Sequence, residues 1–116
     1  MADKLRYSIT LRLYGEKKMF GPAIAELLER VDELHSLRKA TMAMGMAYSK
    51  AWSIVKAAEK SLSFPLLISS TGGRGGGGAE LSEQGRRFLT AYRAFERTVH
   101  EYADEIFEEM FGQESD

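Results

Sequence analysis

Between Thr71 and Gly78 the chain reads TGGRGGGG, and six of its eleven glycines fall in that run. Helices and packed strands do not hold such a segment, because each glycine loses more backbone freedom than any other residue and has no side chain to bury. The run is therefore a loop, and it divides the chain into one part before it and one after it. The flanking segments Phe64–Ser70 (FPLLISS) and Ala79–Leu81 read as short strands, with Pro65 opening the first. Strand, loop and return strand form a two-stranded hairpin with the glycines at its tip. There the backbone can approach phosphates and donate its amides, and Arg74 is the one charged side chain of the loop.

Residues 73–78 (GRGGGG) also fit G-x-G-x-x-G, the phosphate-binding pattern of dinucleotide folds. That chemistry needs the glycines to open a helix directly after a strand, and here Ala79-Glu80-Leu81 intervenes before Ser82. A P-loop would need Gly-Lys-Ser/Thr, which is absent.

Before the hairpin, Leu5 to Tyr14 alternates apolar and polar residues and predicts a half-buried strand. Residues 15–21 form a polar connection. Pro22 stands where a first helical residue is favoured, and Ile24, Leu27, Leu28, Val31 and Leu34 give an amphipathic helix ending near His35. Ser36 is the expected N-cap of a short helix, Leu37 to Met44, that Gly45 ends; a further helix runs from about Ala47 to Leu62. Two short helices joined at a glycine are the outline of a helix-turn-helix over 36–62. With the hairpin at 64–81, the fold class is mainly α with a small β-sheet: one winged helix-turn-helix domain. Ser82 caps a last helix that extends to about Phe111.

On a helical wheel of residues 47–62, Ala51, Ile54, Val55, Ala58 and Leu62 gather on one side. Ser49, Lys50, Ser53, Lys56, Ala57 and Lys60 gather on the other. Short hydrogen-bonding side chains beside cations suit a helix that enters the major groove, and a solvated lysine face has the same pattern. Trp52 falls between the faces and either packs against the first helix, the expected role, or lies along a sugar-phosphate backbone. Tyr48 either offers its hydroxyl to a phosphate or closes the core.

Phe88, Tyr92, Phe95, Val99, Tyr102, Ile106 and Met110 recur at alternating spacings of three and four, the seam of a helix that meets a partner helix. A symmetric dimer would supply that partner and would place two recognition helices on one DNA face. Charge divides along the chain: residues 36–95 carry nine basic and three acidic side chains, and residues 96–116 carry one and eight. The basic middle suits a polyanion, and the acidic end of the last helix is expected to be held away from DNA.

The absence of cysteine excludes disulfides, thiol nucleophiles and thiolate zinc sites, and His35 and His100 lack suggestive neighbours and read as structural. No catalytic arrangement emerges, so the chain is expected not to be an enzyme. Neither a signal peptide nor an apolar run of membrane-spanning length is apparent, so a cytoplasmic protein is expected.

The segments LRKATMAMGMAYSKAWSIVKAAEK and TGGRGGGGAELSEQGRRFLTAY together resemble the N-terminal DNA-binding domain of the molybdate-responsive, ModE-type transcriptional regulators. The carriers are the T-G-G-R/K-G-G-G-G-A wing followed by L-[ST]-x-x-G, and the Gly-x-x-Tyr-x-x-Ala-Trp turn and helix. The start of the last helix, LSEQGRR, is also similar to LysR-type regulators. The resemblance implies a homodimer on double-stranded DNA, with contacts from Tyr48, Ser49, Lys50 and Ser53 in the helix and from Thr71 and Arg74 in the wing. Long last helices then join the subunits.

It also implies that the molybdate site lies in C-terminal domains absent here, which leaves no cofactor and gives a separate sensory protein as a candidate partner. Two positions depart from the family: Ala47 replaces a serine before the tyrosine, and Ser49 replaces a residue that is often basic. The rival expectation is an interaction module of the same fold that binds a protein through the acidic last helix. Molybdate or tungstate bound at a basic dimer surface is a more remote one.

Overall fold

The computed structural model describes residues 3–70 and 78–112. A small hairpin of β1 (Leu13–Tyr14) and β2 (Lys18–Phe20) leads into α1 (Pro22–Leu34), α2 (Leu37–Met44) and α3 (Tyr48–Leu62). Strands β3 (Leu67–Ser70) and β4 (Gly78–Leu81) follow, and then the long α4 (Glu83–Phe111). This is the winged helix-turn-helix that the glycine run and the helix caps predict.

The helix boundaries follow from local chemistry. Pro22 opens α1, and His35 ends it in the left-handed conformation, its amide donating to the Val31 carbonyl at 2.7 Å. The Ser36 hydroxyl accepts from the Lys39 amide at 3.0 Å, and Gly45 closes α2 at φ 66°. Ser82 caps α4 by accepting from the Gly85 amide at 2.8 Å.

Phe20 lies at the centre of the core, its ring edge-on to Phe88 and Tyr92 at 4.8 and 5.0 Å. Leu27, Leu28 and Val31 of α1 pack with Ala51, Val55 and Ala58 of α3, and Leu66, Leu81 and Leu89 close the far side. Two pairs of charged forks brace α4 on α1. Arg86 grips Asp32 at 2.8 and 3.0 Å, and Arg93 grips Glu29 at 2.8 and 2.9 Å.

The N-terminal strand is a correction. Of the predicted Leu5–Tyr14, two residues pair with another strand, and Asp3 to Arg12 lie outside any helix or strand. The partner is β2, inside the stretch read as a polar connection. Alternation gives a segment its faces but not a neighbour to bond with, and here Leu5, Tyr7 and Ile9 remain exposed. Tyr7 is held on α4: its hydroxyl donates to Asp104, and its ring lies 5.0 Å from that of Phe107. Among the described residues, no helix is long and apolar enough to cross a membrane.

Candidate nucleic-acid interface

Helix α3 turns Ala51, Val55 and Ala58 into the core and leaves the opposite side to solvent. Ser49, Lys50, Ser53, Lys56 and Lys60 are all exposed there, as the wheel predicts. Tyr48 is 38% exposed and Trp52 49%. The expected packing of Trp52 against α1 is corrected. A position between two faces of a wheel does not say on which side the neighbouring element passes, and the core closes without the indole. Tyr48 also stays out of the core, with the Arg38 guanidinium 4.3 Å from its ring centroid.

Glu59 holds the site together in a way that the sequence reading missed. One of its carboxylate oxygens accepts from the amides of Leu66 and Leu67 at 2.7 and 3.2 Å, and the other lies 3.3 Å from the Lys56 ammonium. It therefore ties the start of the wing to α3. A lone acid on a basic helix, six residues before Pro65, was the available signal.

The wing strands pair antiparallel from Leu67↔Leu81 to Ser70↔Gly78, which makes residues 71–77 their connection. Thr71 and Arg74, expected to contact DNA, lie outside the described residues. The base of the hairpin is tied to the start of the helix-turn-helix, with the Ala79 amide donating to the His35 carbonyl at 3.1 Å. A Cβ at Gly78 would stand 2.6 Å from that same oxygen, so this glycine serves a close approach.

Ion pairing redistributes the basic middle. Arg86, Arg87, Arg93 and Lys56 each have a carboxylate partner. Among the described residues, Arg38, Lys39, Lys50 and Lys60 have none, and all four lie on the helix-turn-helix. Within residues 36–95, the unpaired positive charge of the described residues is thus concentrated on α2 and α3.

The predicted seam of α4 divides. Phe88 packs against Phe20 and Phe64, and Tyr92 is 2% exposed, its hydroxyl donating to the Leu11 carbonyl at 2.7 Å. Their assignment to a partner surface is therefore corrected, because these two rings serve the chain's own core. Burial raises the Tyr92 phenol above its ordinary value. Beyond it Val99 and Ile106 are half-buried, and Phe95, Tyr102 and Met110 are exposed. Spacing alone could not mark where the core stops along one continuous stripe. Among the described residues, no three His, Cys, Asp or Glu side chains converge as metal ligands.

A glycine-closed helix-turn-helix, an antiparallel wing and uncompensated cations around the second helix define a winged helix-turn-helix protein. No family model matches the chain. It is 31% identical over 84 residues, 72% of its length, to the molybdenum transport protein ModE of Azotobacter vinelandii. It is 33% identical over 102 residues, 87% of its length, to the transcriptional regulator ModE of Haemophilus influenzae. With the DNA-binding transcriptional dual regulator ModE of Escherichia coli K12 it shares 29% over 89 residues, 76% of its length. The chain spans 31%, 40% and 34% of the lengths of these curated relatives. Over that shared segment the chain is a ModE-type sequence.

Proposed function

We propose that the chain is a sequence-specific DNA-binding transcriptional regulator that acts as a homodimer. The carrying observation is the outward face of α3, where Ser49, Lys50, Ser53 and Lys56 stand exposed together on the second helix of a helix-turn-helix. In this reading α3 enters the major groove, Ser49, Lys50 and Ser53 read base edges, and Tyr48 and Lys56 hold flanking phosphates. Thr71 and Arg74 of the wing meet the backbone beside the groove. The exposed outer part of α4, through Phe95, Val99, Tyr102, Ile106 and Met110, pairs the subunits. The protein works by occupying an operator, without catalysis and without a cofactor of its own. Any response to an oxyanion comes from elsewhere, in another domain or a separate sensory protein.

The test is selection of bound fragments from a genomic library at near-physiological salt. One palindromic motif, with half-sites about one helical turn or a multiple apart, is the expected result. Lys50→Ala should then reduce the preference for that motif over mixed DNA by about tenfold, the loss of one base contact. Retention of no fragment would sink the reading and leave a protein-interaction module acting through the acidic α4.

A further inference from the structure

Two large aromatic side chains stand exposed one helical turn apart on α3, and the core uses neither. Tyr48 and Trp52 form one wall of a cleft of about 390 Å³ between α3 and the base of the wing. Ile68, 45% exposed, and Ser69 form the other. Each ring carries a cation. The Arg38 guanidinium lies 4.3 Å from the Tyr48 centroid, and the Lys56 ammonium 5.5 Å from that of Trp52. Lys56 is partly neutralised by Glu59, whereas Arg38 has no carboxylate partner among the described residues.

The width of the cleft is fixed at both ends by bonds already described. Glu59 holds the Leu66 and Leu67 amides at one end, and the His35 carbonyl holds the Ala79 amide at the other. The two aromatic side chains and an arginine without a carboxylate partner thus line a cleft braced at both ends.

We infer that this cleft is a second, sequence-independent DNA contact that takes one sugar–phosphate strand beside the groove read by α3. The deoxyribose presents C–H groups that suit the ring faces of Trp52 and Tyr48, and the phosphate suits Arg38. Covering the rings with sugar removes apolar surface from water that the free protein leaves exposed. Stacking of the cations on the rings holds both aromatics in place before DNA arrives, so less side-chain freedom is lost on binding. Arg38, on α2, thereby joins the interface, and Trp52 takes the backbone role that its place between the two faces of α3 left open. The inference rests on the DNA-binding reading, and its test separates the two.

Trp52 is the single tryptophan of the chain, so emission excited at the red edge, where tyrosine does not absorb, reports on this cleft. The intact protein is titrated with a mixed-sequence duplex of about three helical turns, end-labelled so that anisotropy reads binding independently. Bound DNA should change the Trp52 emission and protect it from acrylamide. Arg38→Gln should weaken binding on mixed and selected sequences alike and lower the salt slope by about one. Trp52→Ala should cost about tenfold in affinity on both DNAs, and Trp52→Phe, which keeps a ring face, should recover most of it. If anisotropy shows binding while Trp52 emission and acrylamide access stay unchanged, the cleft is not a DNA contact and the groove reading stands. If neither duplex binds, the DNA-binding reading and the cleft fall together.

Discussion

A methyl group at position 85 would stand 2.4 Å from the carbonyl oxygen of Leu66 and 3.0 Å from its Cα. The obstacle is backbone, already held by the Ser82 amide at 2.9 Å, so it cannot swing aside. Gly85→Ala should therefore destabilise the fold by about 1–3 kcal/mol despite the better helix propensity of alanine, measured as a lower urea midpoint. This gives a physical basis to the Leu81-Ser82-x-x-Gly85 pattern. Leu81 enters the core, Ser82 caps α4, and Gly85 lets the helix lie against the backbone that enters the wing. The pattern was legible in the sequence; its reason was not, because Leu66 comes from another element. A second expectation concerns Asp32, whose carboxyl the Arg86 fork holds below its ordinary value of 3.8. With the folded value depressed, the pair's stabilisation is present above about pH 4 and is lost as pH falls through the folded value. Both groups are more than a third exposed, so solvent screening limits the effect to under about 1 kcal/mol. Asp32→Asn should flatten the acid limb of a stability–pH curve by that amount and leave its slope above pH 6 unchanged.

Elements with a chemical mark at each end were readable, and those defined by a distant partner were not. Ser36, Gly45 and Ser82 marked their helices correctly because capping is local. The strand expected over Leu5–Tyr14 shrank to two residues, since pairing depends on what lies alongside and β2 was hidden in polar sequence. Trp52 was misplaced for a related reason: a wheel gives angles within one helix, and only the packed neighbours decide which angle is inside. The N-cap of α3 is Ala47, which offers no side-chain acceptor to the first amides. Its backbone, at φ −67° and ψ 138°, is close to that of Ser82 at −70° and 167°, where a hydroxyl does cap α4. Ala47→Ser should thus stabilise the protein by about 1 kcal/mol, raising the urea midpoint without altering the dependence of stability on denaturant. An unchanged midpoint would mean that the first turn of α3 gains nothing from a hydroxyl there.

A chain of this length folded as a sphere-like domain would have a radius of gyration near about 13 Å, yet the observed value is 18.1 Å, with extents of 63 × 30 × 21 Å. The excess comes from α4, whose 29 residues run about 44 Å and leave the core beyond Tyr92. An isolated helix end gains little from its own hydrogen bonds in water, so an apolar stripe along it needs cover. Tyr7 and Phe107 cover one side, while Phe95, Tyr102 and Met110 stand open on the other at 51%, 64% and 68% exposure. A second copy related by a two-fold axis would cover both stripes at once and carry two α3 helices on one assembly. Light scattering at micromolar concentration should then give twice the 13.0 kDa mass of the chain. Tyr102→Glu adds a charge to the open stripe, beside the existing Glu101 and Glu105, and should return the mass to that of one chain. Because Tyr102 is exposed in the single chain, the variant should keep its helix content by circular dichroism and its Trp52 emission. Its affinity for a palindromic site should fall towards that for a half-site, since linked binding of two modules is lost. A wild-type mass of one chain would remove α4 from the role of subunit contact, and would leave its open stripe to a different protein.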